Sequence, residues 1–97
     1  MIWEELETVY EIHGTNMYDW LLVSVLFSPE QGVFFGYIDG GCSCNFPYEE
    51  GPSTGPMSRK EAIEWVHHNR FSDGYYDIRA EDFNDMASAV RKWNMED

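Results

Sequence analysis

The residues with the most obvious chemical potential are two cysteines two positions apart, Cys42 and Cys44, in the run Gly40-Gly41-Cys42-Ser43-Cys44. Two thiolates joined by His13, His67 or His68 are the raw material of a zinc site. The spacing argues against one: zinc knuckles use C-x-x-C, and the chain offers no second ligand pair. His67 and His68 are neighbours on a candidate helix and diverge by about 100°, so at most one would reach a shared metal. A thiolate beside a histidine is also the minimal nucleophile and base, and Gly40-Gly41 would allow a tight backbone that bares a thiol. Nothing in the sequence orients the base, however. Glu49 and Glu50 are adjacent acids, a pattern better suited to a solvated corner than to paired acid–base work. Gly40-Gly41 has neither a lysine nor a following helix, so it is no phosphate loop. The expectation is therefore a protein with no catalytic residue, no metal and no cofactor. The alternatives are a small metal-binding protein or a cysteine-dependent enzyme, each built on Cys42 and Cys44.

Charge narrows the class further. The chain has 97 residues, one domain's length, with 18 acidic and 6 basic residues and a net charge of −12. Phosphate-backbone binding gains its affinity from clustered Lys and Arg, so direct nucleic-acid binding is not expected, nor docking on anionic lipid. The longest apolar run, Trp20 to Phe27, is eight residues, against the roughly 20 of a spanning helix. No positively charged leader precedes it, and two cysteines make no disulfide framework, so a cytosolic protein is expected. The first 57 residues contain no Lys or Arg, and all six basic residues follow Met57. Uncompensated negative charge over half a chain fits a surface that steers a basic partner. A merely solubilising surface more often mixes signs.

The elements that must carry these residues follow from periodicity. Glu5 to Ile12 alternates, with Glu5, Glu7 and Glu11 on one side and Leu6, Tyr10 and Ile12 on the other, the pattern of a half-buried strand. His13-Gly14-Thr15-Asn16 reads as the turn after it. Tyr18 to Phe27 is apolar on both faces, as a central strand would be. Ser28-Pro29-Glu30-Gln31-Gly32 reads as a hairpin loop, and Val33 to Asp39 as a third strand. From Gly40 to Pro56, four Gly and three Pro end regular structure. Ser58 and Glu61 form a capping box at the head of a helix ending near Asn69. Phe83, Met86, Ala87, Val90 and Trp93 make the apolar stripe of a last helix over about residues 80–94.

The expected fold is α+β: an antiparallel three-stranded β-meander over 1–39, a Gly/Pro-rich cysteine loop over 40–57, and a helical part over 58–97, in one domain. Both helices would pack on one sheet face. The opposite face is then either wrapped by the long loop, through Phe46, Pro47 and Tyr48, or left in part for a partner.

The loop from Asp39 to Glu50, D-G-G-C-S-C-N-F-P-Y-E-E, resembles a motif G-C-S-C-x-x-P-[WY]-E found in a family of small proteins of bacteriophages that infect actinobacteria. The helix start Gly55-Pro56-Met57-Ser58 to Glu61-Ala62 fits the same pattern. The resemblance covers about residues 33–66 and brings no activity with it. It implies expression in a bacterial cytosol and points to Cys42, Ser43, Cys44, Pro47 and Glu49. Together with the charge, it suggests a small acidic protein that binds and modulates, by inhibition, a host or defence protein with a basic surface. The contact set is Glu4, Glu5, Glu7, Glu11, Asp39, Cys42, Ser43, Cys44, Pro47, Tyr48, Glu49 and Glu50. A row of Glu5, Glu7 and Glu11 at steps of about 6.8 Å would imitate a run of phosphates.

Overall fold

The structure is a computed structural model that describes residues 5–42 and 51–94. Strands β1 (Glu7–Asn16), β2 (Asp19–Ser28) and β3 (Val33–Cys42) form an antiparallel sheet in the order β1-β2-β3, followed by helices α1 (Arg59–His68) and α2 (Ala80–Lys92). The α+β meander with two helices is thus the observed architecture. Both helices lie on one face, α2 against β1 and α1 against β3. Val23, Val25, Phe27 and Phe34 from the sheet meet Val66, Phe83, Met86 and Val90 from the helices in one core, with Ile63 and Trp93 half-buried at its margin. The ring of Trp93 stands edge-on to Phe27 at 6.2 Å.

Several boundaries differ from the sequence reading, each for a physical reason. The first strand continues through the expected turn at residues 13–16 and closes at Met17-Tyr18, between the paired residues Asn16 and Asp19. Gly14 marks a close approach here: a Cβ at that position would lie 2.5 Å from the Tyr76 Cβ and 2.8 Å from its carbonyl oxygen. Met17 takes the left-handed conformation, φ 56°, that such tight turns demand and that glycine or asparagine fills more cheaply. The third strand runs on past Asp39, because Gly40 and Gly41 still pair with Leu21 and Trp20. The loop after β2 has four residues between Ser28 and Val33, with Gly32 at φ 69°. Of the segment after Phe71, only an isolated bridge between Asp73 and Ile78 is strand-like.

The capping box is present as expected: the Glu61 N–H donates to the Ser58 hydroxyl at 3.2 Å, and the Ser58 N–H donates to the Glu61 carboxylate at 2.9 Å. The start of α1 is tied to the end of α2 by Arg59. Its guanidinium donates to the Val90 and Arg91 carbonyls at 2.5 and 3.3 Å and lies 5.4 Å from the Phe34 ring centroid. A cation at a helix C-terminus satisfies carbonyls that have no intrahelical donor.

The face away from the helices holds a second apolar cluster of Trp20, Leu22, Leu26 and Tyr37, with Leu6 packed on it. Phe35 is buried as well. Among the described residues, this face therefore does not present a bare aromatic surface. The expected packing of Phe46, Pro47 and Tyr48 lies outside the described residues.

Candidate functional site

The acidic row of β1 does not survive folding. A β-bulge between Thr8 and Tyr10 puts Val9 and Tyr10 opposite Val25, and this reverses the alternation of the strand. Glu7 pairs with Phe27, whose side chain belongs to the helix-covered core, whereas Glu11 pairs with Ser24 on the opposite face. The two glutamates therefore face opposite sides of the sheet, and a one-residue insertion is all that this takes. A ladder of evenly spaced carboxylates is not what the strand offers. Glu5 and Glu7 are exposed near its start.

Folding gathers a different set of acids. Beside β1 a cleft of about 190 Å³ is lined by Tyr10, Glu11, Ile12 and His13 of the strand, Asp77 and Ile78 of the turn that precedes α2, and Asp82 of α2. Three elements position them. The turn is closed by reciprocal main-chain bonds between Asp73 and Ile78 at 2.8 and 2.9 Å, and Asp77 sits in it at φ 55°. Asp82 is fixed by accepting the Arg79 N–H at 2.9 Å, while the Ser72 hydroxyl accepts the Ala80 N–H at 2.9 Å, so the head of α2 is anchored beside the strand. Burial, followed by the carboxylates of Asp85 and Asp82, raises the Tyr10 hydroxyl above its usual pKa of 10.0. The cleft is acidic, polar and bordered by four consecutive strand residues.

The two outer edges of the sheet are treated differently. Residues 53–57 run along β3 and satisfy its outward groups in turn. Phe34 and Met57 exchange main-chain bonds at 2.8 Å each, and the Ser53 and Thr54 N–H groups donate to the Gly36 carbonyl at 2.9 and 3.2 Å. The Thr54 hydroxyl accepts the Gly36 N–H at 2.9 Å, and the Ser53 hydroxyl accepts the Ile38 N–H at 2.9 Å. Phe34, Gly36 and Ile38 thus point outward on β3. Because antiparallel residues bond to alternate sides, His13 and Thr15 are the corresponding outward residues of β1. Among the described residues no group bonds to the main chain of either.

A third feature is the tip of the first hairpin. Met17 and Tyr18 are 89% and 72% exposed, and Tyr75 stands beside them at 51%. Tyr75 is held there: its hydroxyl donates to Asp19 at 2.9 Å, and its carbonyl accepts from the Asn16 side chain at 2.6 Å. The bond to Asp19 raises the Tyr75 hydroxyl above its usual pKa.

The remaining candidates divide into those that can be placed and those that cannot. Asp39 is half-buried and already engaged, accepting the Tyr37 hydroxyl at 2.7 Å and the Gly40 N–H at 2.8 Å. Cys42 ends β3, though its side chain is not described. Glu4, Ser43, Cys44, Pro47, Tyr48, Glu49 and Glu50 lie outside the described residues. His13 is on β1 and His67 and His68 are exposed on α1. Among the described residues no three His, Cys, Asp or Glu side chains converge as a metal ion requires. Likewise, no helix there is long and apolar enough to cross a membrane.

Sequence reasoning missed Asp77, Asp82 and Tyr75, and weighed His13 as a zinc ligand. Asp82 stands in the first turn of α2 and Asp77 in the turn before that helix, both far from β1 in the sequence. Only the position of that turn against Gly14 makes a site of them.

Fold and cleft together define a small acidic α+β domain whose three-stranded sheet has one edge covered by residues 53–57 and an acidic cleft beside the other. The chain belongs to the family described as Domain of unknown function (DUF7574), whose model matches residues 3–96. No curated protein and no solved structure matches it.

Proposed function

We propose that this domain is a non-enzymatic binding module that engages and modulates a protein with a basic surface. The observation that carries this reading is the cleft beside β1, to which α2 and the turn before it bring Asp82 and Asp77. Like charges brought together by a fold cost stability unless an opposite charge answers them, and a basic partner supplies that charge. The loss of the even carboxylate row on β1 turns the reading away from imitation of a nucleic acid and towards capture of Lys or Arg side chains. The resemblance of Asp39–Glu50 to actinobacteriophage proteins supports a host or defence protein of the bacterial cytosol as the partner, with inhibition as the outcome.

The test is affinity capture from an actinobacterial lysate at low and high salt, followed by binding kinetics with the captured protein. Replacing Glu11→Gln together with Asp77→Asn removes two charges, and asparagine tolerates the left-handed backbone at position 77. Slower association and a flatter salt dependence, with the fold unchanged, are the expected results. Binding indifferent to both salt and the double substitution would remove the acidic cleft from the interface.

A further inference from the structure

Exposed apolar side chains gather at the tip of the first hairpin. Among the described residues, the large hydrophobic side chains left exposed are Met17, Tyr18 and Tyr75 at this tip and Ile38 elsewhere. Met17 and Tyr18 fill the two positions between the paired residues Asn16 and Asp19. Tyr75 arrives from a distant turn and is tied to both flanking residues, its hydroxyl donating to Asp19 at 2.9 Å and its carbonyl accepting from Asn16 at 2.6 Å. Its ring stands edge-on to Tyr76 at 4.8 Å, and Tyr76 packs on Gly14. The patch is thus fixed in place before anything binds, which lowers the ordering cost of binding.

Met17 is the residue that the fold explains least. Glycine or asparagine adopts its φ of 56° more cheaply, and at 89% exposure the side chain gains no packing in return. Backbone strain that no packing offsets collects at functional positions. Methionine and tyrosine are enriched where proteins meet, and apolar patches rimmed by polar groups mark such places.

The rim selects the occupant. Asp19 and Asp73 hold Tyr75 through neutral donors, its hydroxyl and its N–H, which leave their charge uncancelled. No Lys or Arg occurs in residues 1–57, and between Arg70 and Arg79 the charged residues are Asp73 and Asp77 alone. Asp77 also lines the cleft beside β1, so the turn over residues 73–78 joins tip and cleft into one surface. Two tips meeting in a dimer would oppose these acids in chains of net charge −12, and an anionic bilayer would repel them.

We infer that Met17, Tyr18 and Tyr75 are the apolar anchor of the interface with the basic partner. They enter a pocket of that protein whose rim carries Lys or Arg to meet Asp19, Asp73 and Asp77. This rests on the binding-module reading above and adds a division of labour: the acids of the cleft steer the encounter, and the tip holds the complex once it has formed.

The experiment uses the intact chain and the protein captured at low salt. Met17→Gly with Tyr18→Ser removes the anchor while easing the left-handed position. Dissociation from the captured protein should quicken by about ten-fold or more, with association and its salt dependence little changed. The Glu11→Gln, Asp77→Asn variant should instead slow association. The melting temperature of Met17→Gly alone should hold or rise. Unchanged dissociation of the tip variant, beside slowed association of the cleft variant, would overturn the anchor while leaving the acidic cleft in the interface. A lower melting temperature for Met17→Gly would return Met17 to the fold and overturn the anchor too. So would a dimer in sedimentation, or binding to phosphatidylcholine vesicles, that the tip substitutions abolish. Capture of no protein would overturn both readings.

Discussion

The two edges of this sheet are built from strands of equal length and finished in opposite ways. Along β3, a segment too rich in Pro and Gly to be a strand does a strand's work with two hydroxyls and a few main-chain bonds. Along β1, the space where such a cover would lie is an acidic cleft. An edge strand risks pairing with its own kind, and proteins blunt that risk with a cover, a bulge or charge. Here β3 has the cover, and β1 has the bulge and the charge. The difference teaches that covering an edge closes it to every chain, whereas charging it closes it only to chains of the same sign.

Each edge is also fixed from the helix side by something seated on a glycine, and this is where the comparison can be broken most sharply. At β1, a Cβ on Gly14 would meet the Tyr76 backbone carbonyl at 2.8 Å. At β3, a Cβ on Gly36 would meet the Trp65 indole at 2.6–2.8 Å. Backbone cannot step aside as a half-buried ring can. Gly14→Ala should therefore cost about 1–3 kcal/mol in urea denaturation and Gly36→Ala less. Equal costs would mean that the turn carrying Asp77 is no more firmly seated than a side chain.

Removing the cover from β3 should have the next largest effect. Ser53→Ala and Thr54→Val each delete a hydroxyl that accepts a main-chain N–H, worth about 1 kcal/mol apiece. Hydrogen exchange should quicken at Ile38 in the first variant and at Gly36 in the second. In the unaltered protein, His13 and Thr15 should already exchange faster than either. Slow exchange at His13 would mean that the β1 edge is covered as well.

The smallest effect lies where the cover leads into α1. Hydrogen bonding by the Ser58 main chain and side chain holds the Glu61 carboxyl below its ordinary pKa of 4.5. The cap's contribution is complete above about pH 4.5, where Glu61 is ionised in both the folded and unfolded states. It is lost as pH falls through the lower folded value, because the unfolded chain takes up the proton first. Thermal unfolding followed from pH 6 to pH 3 should show this acid-side loss, and Glu61→Gln should diminish it. An unchanged profile would assign the acid sensitivity to other carboxylates.

The fold was legible because its signals are local. The apolar stripe of α2, the capping box at Ser58 and Glu61, and the two-faced hydrophobicity of β2 each declare an element within a few residues. The site was far less legible. Alternation along Glu5–Ile12 is a real pattern, but a bulge adds one residue without a distinctive sequence mark and inverts everything before it. Gly14 resembles a turn residue because glycine serves equally for sharp bends and for close approach, and only Tyr76, 62 positions on, distinguishes the two. Ser53 and Thr54 looked like loop composition because their partners are main-chain groups of another element. The acids of the cleft come from parts of the chain that share no periodicity at all.

Met17 has one more consequence, and it is oxidative. At 89% exposure its thioether is open to any peroxide in solution, while Met86 and Met57 are 0% and 9% exposed. Conversion to the sulfoxide would turn a soft apolar side chain into a polar, chiral one between Asn16 and Asp19, the two residues that hold Tyr75. The hairpin tip would change its chemical character while the core methionine Met86 stayed reduced. That places a reversible chemical mark at the end of the same strand that borders the acidic cleft.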